Sequence, residues 1–213
     1  MDIYNINNNK LFLIDKYSHS CDIVKKLINL NLDTAIIYNK ISSNQYKILI
    51  LEKDNSYSTM CGNGCIAMCI KFKKNLTLFN KFNELVQVYY KKNQIKLQLS
   101  VTFVEPNIYL VSGEPHKVYY TKIYDKETHR KIGIRNLPDY NTTFIIYKNN
   151  KYYFTTFERG VNDFTSACGT GSFACVYFIN KNVTSIYTLD NYEYTFEKIN
   201  DSYILNYNYK NST

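Results

Sequence analysis

One short pattern occurs twice in the chain, as Cys61-Gly62-Asn63-Gly64-Cys65-Ile66-Ala67 and as Cys168-Gly169-Thr170-Gly171-Ser172-Phe173-Ala174. The leading cysteines lie 107 residues apart (168 − 61), half of a 213-residue chain. A feature repeated at half length points to two related halves, each donating one cysteine. Behind each loop runs an apolar stretch suited to a helix, from about Cys65 to Lys73 and from Gly171 to Asn180.

Five of the seven glycines are Gly62, Gly64, Gly160, Gly169 and Gly171. Glycine permits positive φ and lets backbone approach a ligand closely. Each loop opens onto a helix N-terminus, where unpaired N–H groups and the macrodipole favour an anion. The same position is expected to lower a cysteine pKa and supply thiolate. Two such units face to face would hold a carboxylate between helix ends, with a sulfur on each side of the neighbouring carbon. That arrangement suits inversion at a carbon α to a carboxylate. One thiolate removes the α-proton and the opposite thiol protonates the other face. Negative charge moving onto the carboxylate would be stabilised by the helix ends, so the chemistry requires neither pyridoxal nor a metal.

The remaining pattern is strand-rich. Leu11–Asp15, Ala35–Tyr38 and Tyr46–Glu52 read as strands, and Asp22–Asn31 fits one face of a helix through Ile23, Val24, Leu27, Ile28 and Leu30. Asp54-Asn55-Ser56 is a turn. Leu85–Tyr90 and Ile95–Val101 form a strand pair turning at Lys91-Lys92-Asn93. Glu105-Pro106-Asn107 breaks the pattern and divides the chain into 1–105 and 106–213. Beyond it, Ile108–Ser112 is a strand and Tyr119–Lys131 leans towards helix. Thr142–Tyr147 and Lys151–Phe157 pair through Asn149-Asn150. Val183–Leu189, Tyr192–Lys198 and Tyr203–Tyr207 close the chain as strands. The class is α+β.

Composition narrows the partners. The formal charge is +8, but it is carried by scattered lysines with only three arginines, Arg130, Arg135 and Arg159. Base readout favours arginine, so a solvated lysine surface is expected and no nucleic acid. No apolar run nears ~20 residues, the length of a membrane span. The opening residues lack a basic region followed by an apolar core. Free thiols then imply a reducing, cytoplasmic setting. Cys65, Cys69 and Cys175 read as small core residues, and Cys21 as structural. The spacing Cys61, Cys65, Cys69 lacks a C-x-x-C pair or nearby histidine for zinc, and neither loop has the Lys-Ser/Thr of a phosphate-binding loop.

Met60-Cys61-Gly62-Asn63-Gly64, Glu158-Arg159-Gly160 and Ala167-Cys168-Gly169-Thr170-Gly171 resemble the diaminopimelate epimerase family. Asn9 with Leu11–Asp15 is similar to the family's opening strand. Gly113-Glu114-Pro115-His116 is similar to its Gly-Asn-Pro-His segment, and Pro138–Phe144 to the stretch carrying a substrate-binding asparagine. The resemblance implies two similar domains, each a strand-rich layer wrapped round a helix, with the active site in the interdomain cleft. It implies an isomerase, independent of cofactors, that interconverts LL- and meso-diaminopimelate for lysine and peptidoglycan synthesis. Cys61 and Cys168 would be the acid/base thiols. Asn63, Gly64, Gly169 and Thr170 would cradle the reacting end of the substrate. Glu158 and Arg159 would hold its distal amine and carboxylate, and Asn9 and Asn141 would hydrogen-bond it. A homodimer is left open.

The chain departs from the family pattern in places. It is short for the family, and one residue is inserted within Val161–Ser166. Glu52 and Glu114 stand at substrate-asparagine positions, and Thr34 near a family glutamine. Added carboxylates disfavour a distal carboxylate unless paired. The alternatives are another racemase of the same fold, histidine- or proline-type, and a non-catalytic basic binding protein.

Overall fold

The computed structural model describes residues 2–7, 9–16, 19–165, 167–180 and 182–208. The first half runs β1 (Asp2–Ile6), β2 (Asn9–Asp15), α1 (Ser20–Asn29), β3 (Thr34–Lys40), β4 (Gln45–Glu52), β5 (Tyr57–Ser58), α2 (Gly62–Phe72), β6 (Leu76–Phe79), β7 (Leu85–Lys91), β8 (Gln94–Gln98) and β9 (Val101–Glu105). The second runs β10 (Ile108–Val111), β11 (Glu114–Thr121), α3 (Lys126–Asn136), β12 (Asn141–Lys148), β13 (Lys151–Glu158), β14 (Asp163–Thr165), α4 (Gly169–Ile179), β15 (Ser185–Thr188), β16 (Glu193–Ile199) and β17 (Ser202–Asn208).

The second list repeats the first, element for element, from β1 to β8. In each half an antiparallel pair (β1–β2, β10–β11) leads through a helix to a parallel neighbour (β3, β12). An antiparallel hairpin follows (β3–β4, β12–β13). The long helix then carries the chain to a parallel partner of the hairpin's second strand (β6 on β4, β15 on β13). A meander closes each half. The halves join twice: β9 pairs with β10, and β8 pairs antiparallel with β17, Leu97 opposite Leu205. Leu97 sits across from Val88 on β7, and Leu205 across from Phe196 on β16, so the two leucines hold the same place in their halves.

The helices differ in kind. In α2 every residue from Gly62 to Ile70 is buried, and in α4 every residue from Gly169 to Val176. A helix apolar all round belongs inside the fold, and the sheet wraps both. By contrast α1 buries only Ile23 and Leu27, leaving Ile28 and Leu30 exposed although the periodicity placed them on the inner face. Cys21, expected to be structural, is exposed on α1. Cys65 and Cys69 are core residues, their thiols directed to Met60 Sδ (3.7 Å) and the Lys74 carbonyl (3.4 Å).

Several boundaries differ from expectation. Tyr119–Lys131 is not one helix. Strand β11 continues through Val118-Tyr119-Tyr120-Thr121, residues that favour strand, and α3 starts only where the Asp125 side chain caps the Thr128 N–H at 2.8 Å. The Glu105–Asn107 break is the tight turn of the β9–β10 hairpin, with Asn107 at φ 70. Asn149 and Asn150 both take positive φ, as a two-residue hairpin turn needs. Among the described residues no helix is long and apolar enough to cross a membrane.

Candidate active site

Both central helices begin on a thiol. Cys61 is the N-cap of α2 and its sulfur accepts the Gly64 N–H at 3.3 Å. Cys168 is the N-cap of α4 and its sulfur accepts the Gly171 N–H, also at 3.3 Å. The helices therefore start three residues or two before the expected positions, at Gly62 and Gly169. These glycines are helical, and positive φ occurs only at Gly113 and Gly160 among the described glycines. Their reason is contact. A Cβ on Gly62 would stand 3.2 Å from Gly169 Cα, and one on Gly169 3.1 Å from Gly62 Cα. The two helix N-termini thus abut, and the equivalent sulfurs flank the junction.

One cleft gathers nearly every residue singled out in the sequence: Asn9, Cys61, Asn63, Asn141, Glu158, Arg159, Cys168, Gly169 and Thr170 line it. Gly64 does not. It lies a residue deeper and supplies the N–H that holds Cys61. Of the inserted segment, Ser166 lies outside the described residues. Several polar side chains are engaged by the protein itself. Asn63 is buried and donates to the Ala167 carbonyl at 3.0 Å, tying one loop to the other. Asn141 donates to Glu114 Oε1 (2.8 Å) and accepts the Arg159 backbone N–H (2.8 Å). Asn9 Oδ1 is buried with no partner.

The repeat also brings a carboxylate to each thiol. Thr34 and Glu52 face each other at the start of β3 and the end of β4. In the register of the second half, Asn141 and Glu158 take those places on β12 and β13. Glu52 accepts the Thr34 hydroxyl at 2.9 Å, and the Thr165 hydroxyl donates to Glu158. Burial pushes Glu52 up to about 8, outweighing its Ser58 and Thr34 hydrogen bonds, and pushes Glu158 up to about 7 against its bonds from Thr165 and Cys168. Gly160, at φ 78, packs over Glu52; a Cβ there would be 2.8 Å from Glu52 Cβ.

The thiols do not behave as the helix N-terminus alone would dictate. Burial raises the pKa of both well above the usual cysteine value. Glu52 adds to the shift at Cys61 and Glu158 at Cys168, and the Gly64 and Gly171 N–H groups only partly oppose it. In this state both sulfurs are protonated at neutral pH.

Cys168 has a further support that Cys61 lacks. Its sulfur is 3.4 Å from Thr170 Oγ1, which is 2.9 Å from His116 Nε2; His116 Nδ1 is 3.1 Å from Thr143 Oγ1. His116 is buried, and burial lowers its pKa to about 4, so the ring is neutral and links the hydroxyls as donor on one side and acceptor on the other. The sequence offered His116 only as part of a motif. Its signal lies in the repeat, where His116 stands across from Asn141 as Leu11 stands across from Thr34.

Comparison with known proteins agrees with this fold. A diaminopimelate epimerase of Flavobacterium psychrophilum is 28% identical over 189 residues, covering 78% of this chain and 73% of its own length. One of Campylobacter jejuni is 32% identical over 149 residues, covering 61% of this chain and 59% of its own. A Bacillus anthracis phenazine biosynthesis protein of the PhzF family superimposes with a TM-score of 0.63 at 10% identity, over 95% of this chain and 90% of that one, a likeness of fold alone. No family model matches the chain. The protein is an isomerase of the epimerase and racemase class. Within that class it is a relative of the diaminopimelate epimerases.

Proposed function

We propose that the protein inverts the α-carbon of an amino acid by proton transfer between Cys61 and Cys168, and that its substrate is diaminopimelate. The observation that carries this is the meeting of two equivalent thiol-capped helix N-termini at the Gly62–Gly169 contact. A substrate carboxylate would sit against the N–H groups of Gly62, Asn63, Gly169 and Thr170, which line the cleft. The two halves, 1–105 and 106–213, would act as the two domains holding it.

Catalysis needs one sulfur ionised and the other protonated. A substrate ammonium beside Glu52 and Glu158 cancels the field that helps keep both thiols protonated, and so favours ionising one. That thiolate takes the α-proton while the opposite thiol donates to the other face. Exchange of the two roles serves the opposite stereoisomer. Diaminopimelate is supported by the names of the relatives and by Glu158 in the cleft. The product would supply lysine and peptidoglycan synthesis, and six free cysteines suit a reducing cytoplasm.

The test is exchange of the substrate α-proton in deuterium oxide, with LL- and meso-diaminopimelate. Cys61→Ala and Cys168→Ala should each abolish epimerisation. Full turnover by either variant would sink the two-base mechanism, and no exchange by the intact protein would sink the function.

A further inference from the structure

The charges of the cleft do not balance. Arg159 is the one cation among its lining residues, and it is already committed. Its Nη2 donates to Glu114 Oε1 at 2.5 Å and its Nη1 to the Pro138 carbonyl at 3.2 Å. Glu114 is a saturated partner. Its side chain is 3% exposed, and it also accepts from Asn141 Nδ2 (2.8 Å) and from the backbone N–H groups of Thr59 (2.7 Å) and Met60 (3.3 Å). Two of the five Arg159 N–H groups are used in this way and its charge is matched by Glu114, while the Nε–H is buried without a partner.

Two further carboxylates line the same cleft with no cation among the described residues. Glu52 has the Thr34 and Ser58 hydroxyls, and Glu158 the Thr165 hydroxyl and the Cys168 thiol. Asn9 adds a buried acceptor with no donor. A buried carboxylate without a counter-charge is costly when ionised, and both are held partly protonated in consequence.

Resting on the epimerase reading, we infer that the cleft recognises its substrate as a diamino acid, through two ammonium groups shared between Glu52 and Glu158, and does not require a carboxylate at the distal end. An α-carboxylate is served by the helix N-termini. A second one would meet three glutamates and a guanidinium whose charge is already paired with one of them. The distal ammonium is the group the pocket selects, so a lysine-like diamino monocarboxylic acid should be a substrate alongside diaminopimelate.

The experiment follows α-proton exchange in deuterium oxide by NMR, with the whole chain, on LL-diaminopimelate, L-lysine, L-norleucine and L-2-aminopimelate. Norleucine is lysine without the distal nitrogen; 2-aminopimelate has a distal carboxylate and no distal amine. A site built to hydrogen-bond a substrate group rejects the analogue lacking it by about 10⁴-fold. The expected result is therefore kcat/KM for lysine within about 100-fold of that for diaminopimelate, and norleucine and 2-aminopimelate at least about 100-fold below lysine. Lysine falling further below diaminopimelate, or either analogue matching lysine, overturns the inference and leaves the epimerase reading standing. No exchange on any of the four overturns both.

Discussion

Gly62 and Gly169 touch through their backbones, at a distance where a methyl group on either would lie within 3.2 Å of the other's Cα. Backbone cannot swing aside as a side-chain tip can. Gly169→Ala should therefore lower stability by about 1–3 kcal/mol through overpacking, although alanine gains about 1 kcal/mol of helix propensity over glycine. Denaturant unfolding checks this. A variant as stable as the parent would show that the junction is loose.

The thiols, both protonated, should be slow to alkylate at neutral pH. Iodoacetamide should label the exposed Cys21 first and leave Cys61 and Cys168 lagging until pH is raised well above 9 or the protein is unfolded. Peptide mapping by mass spectrometry reads the order. Rapid labelling of Cys61 or Cys168 at pH 7 would show that a thiolate exists before substrate arrives.

Glu52 ties stability to pH. Its carboxyl is raised from 4.5 to about 8 in the folded chain. Between those values the unfolded state has lost the proton and the native state retains it, so stability falls as pH rises across that window. Glu52→Gln removes the dependence. It should melt above the parent at pH 8 and close to it at pH 4.5. The difference between the two melting curves isolates this group from Glu158 and His116. A constant difference across pH would contradict the buried, protonated carboxyl.

His116 reaches Cys168 through Thr170, and in the proposed mechanism it would be a positioning residue. His116→Gln should lower kcat by about 10- to 100-fold, the cost of a modest misplacement of a reacting group, with KM little changed. A KM rise with kcat intact would place His116 in substrate binding instead.

The thiols, the glycines and the Glu-Arg pair were legible in the sequence, because each is a rare residue in a rare pattern. The α+β character was legible too, as apolar and aromatic stretches in β4 and β13 and as apolar runs in the central helices. The helix starts were not. Glycine is a poor helix former, and only the contact between Gly62 and Gly169, a tertiary fact, explains its presence in a first turn. Glu114 could be noticed as a departure, but nothing local says that it takes up Arg159. Nor does helix position reveal a thiol pKa when burial and a carboxylate from a distant strand outweigh it. Comparing the halves strand by strand would have found Glu52 beside Glu158 and Thr34 beside Asn141.

Leu97 faces Leu205, and Gly62 faces Gly169. In both contacts a residue meets its own counterpart. That is the signature of an isologous interface, the self-complementary patch by which identical subunits form a two-fold dimer. Here the patch lies within one polypeptide, and the cleft sits on its axis. Each half supplies one sulfur, one helix end and a carboxylate beside its sulfur, Glu52 in the first and Glu158 in the second, and neither holds a complete set. In the proposed two-base mechanism, reactions on the two faces of the substrate carbon would then fall to opposite sides of a near-symmetric seam. Where the sides differ, as with His116 behind one sulfur alone, the chain can treat two mirror-related approaches unequally.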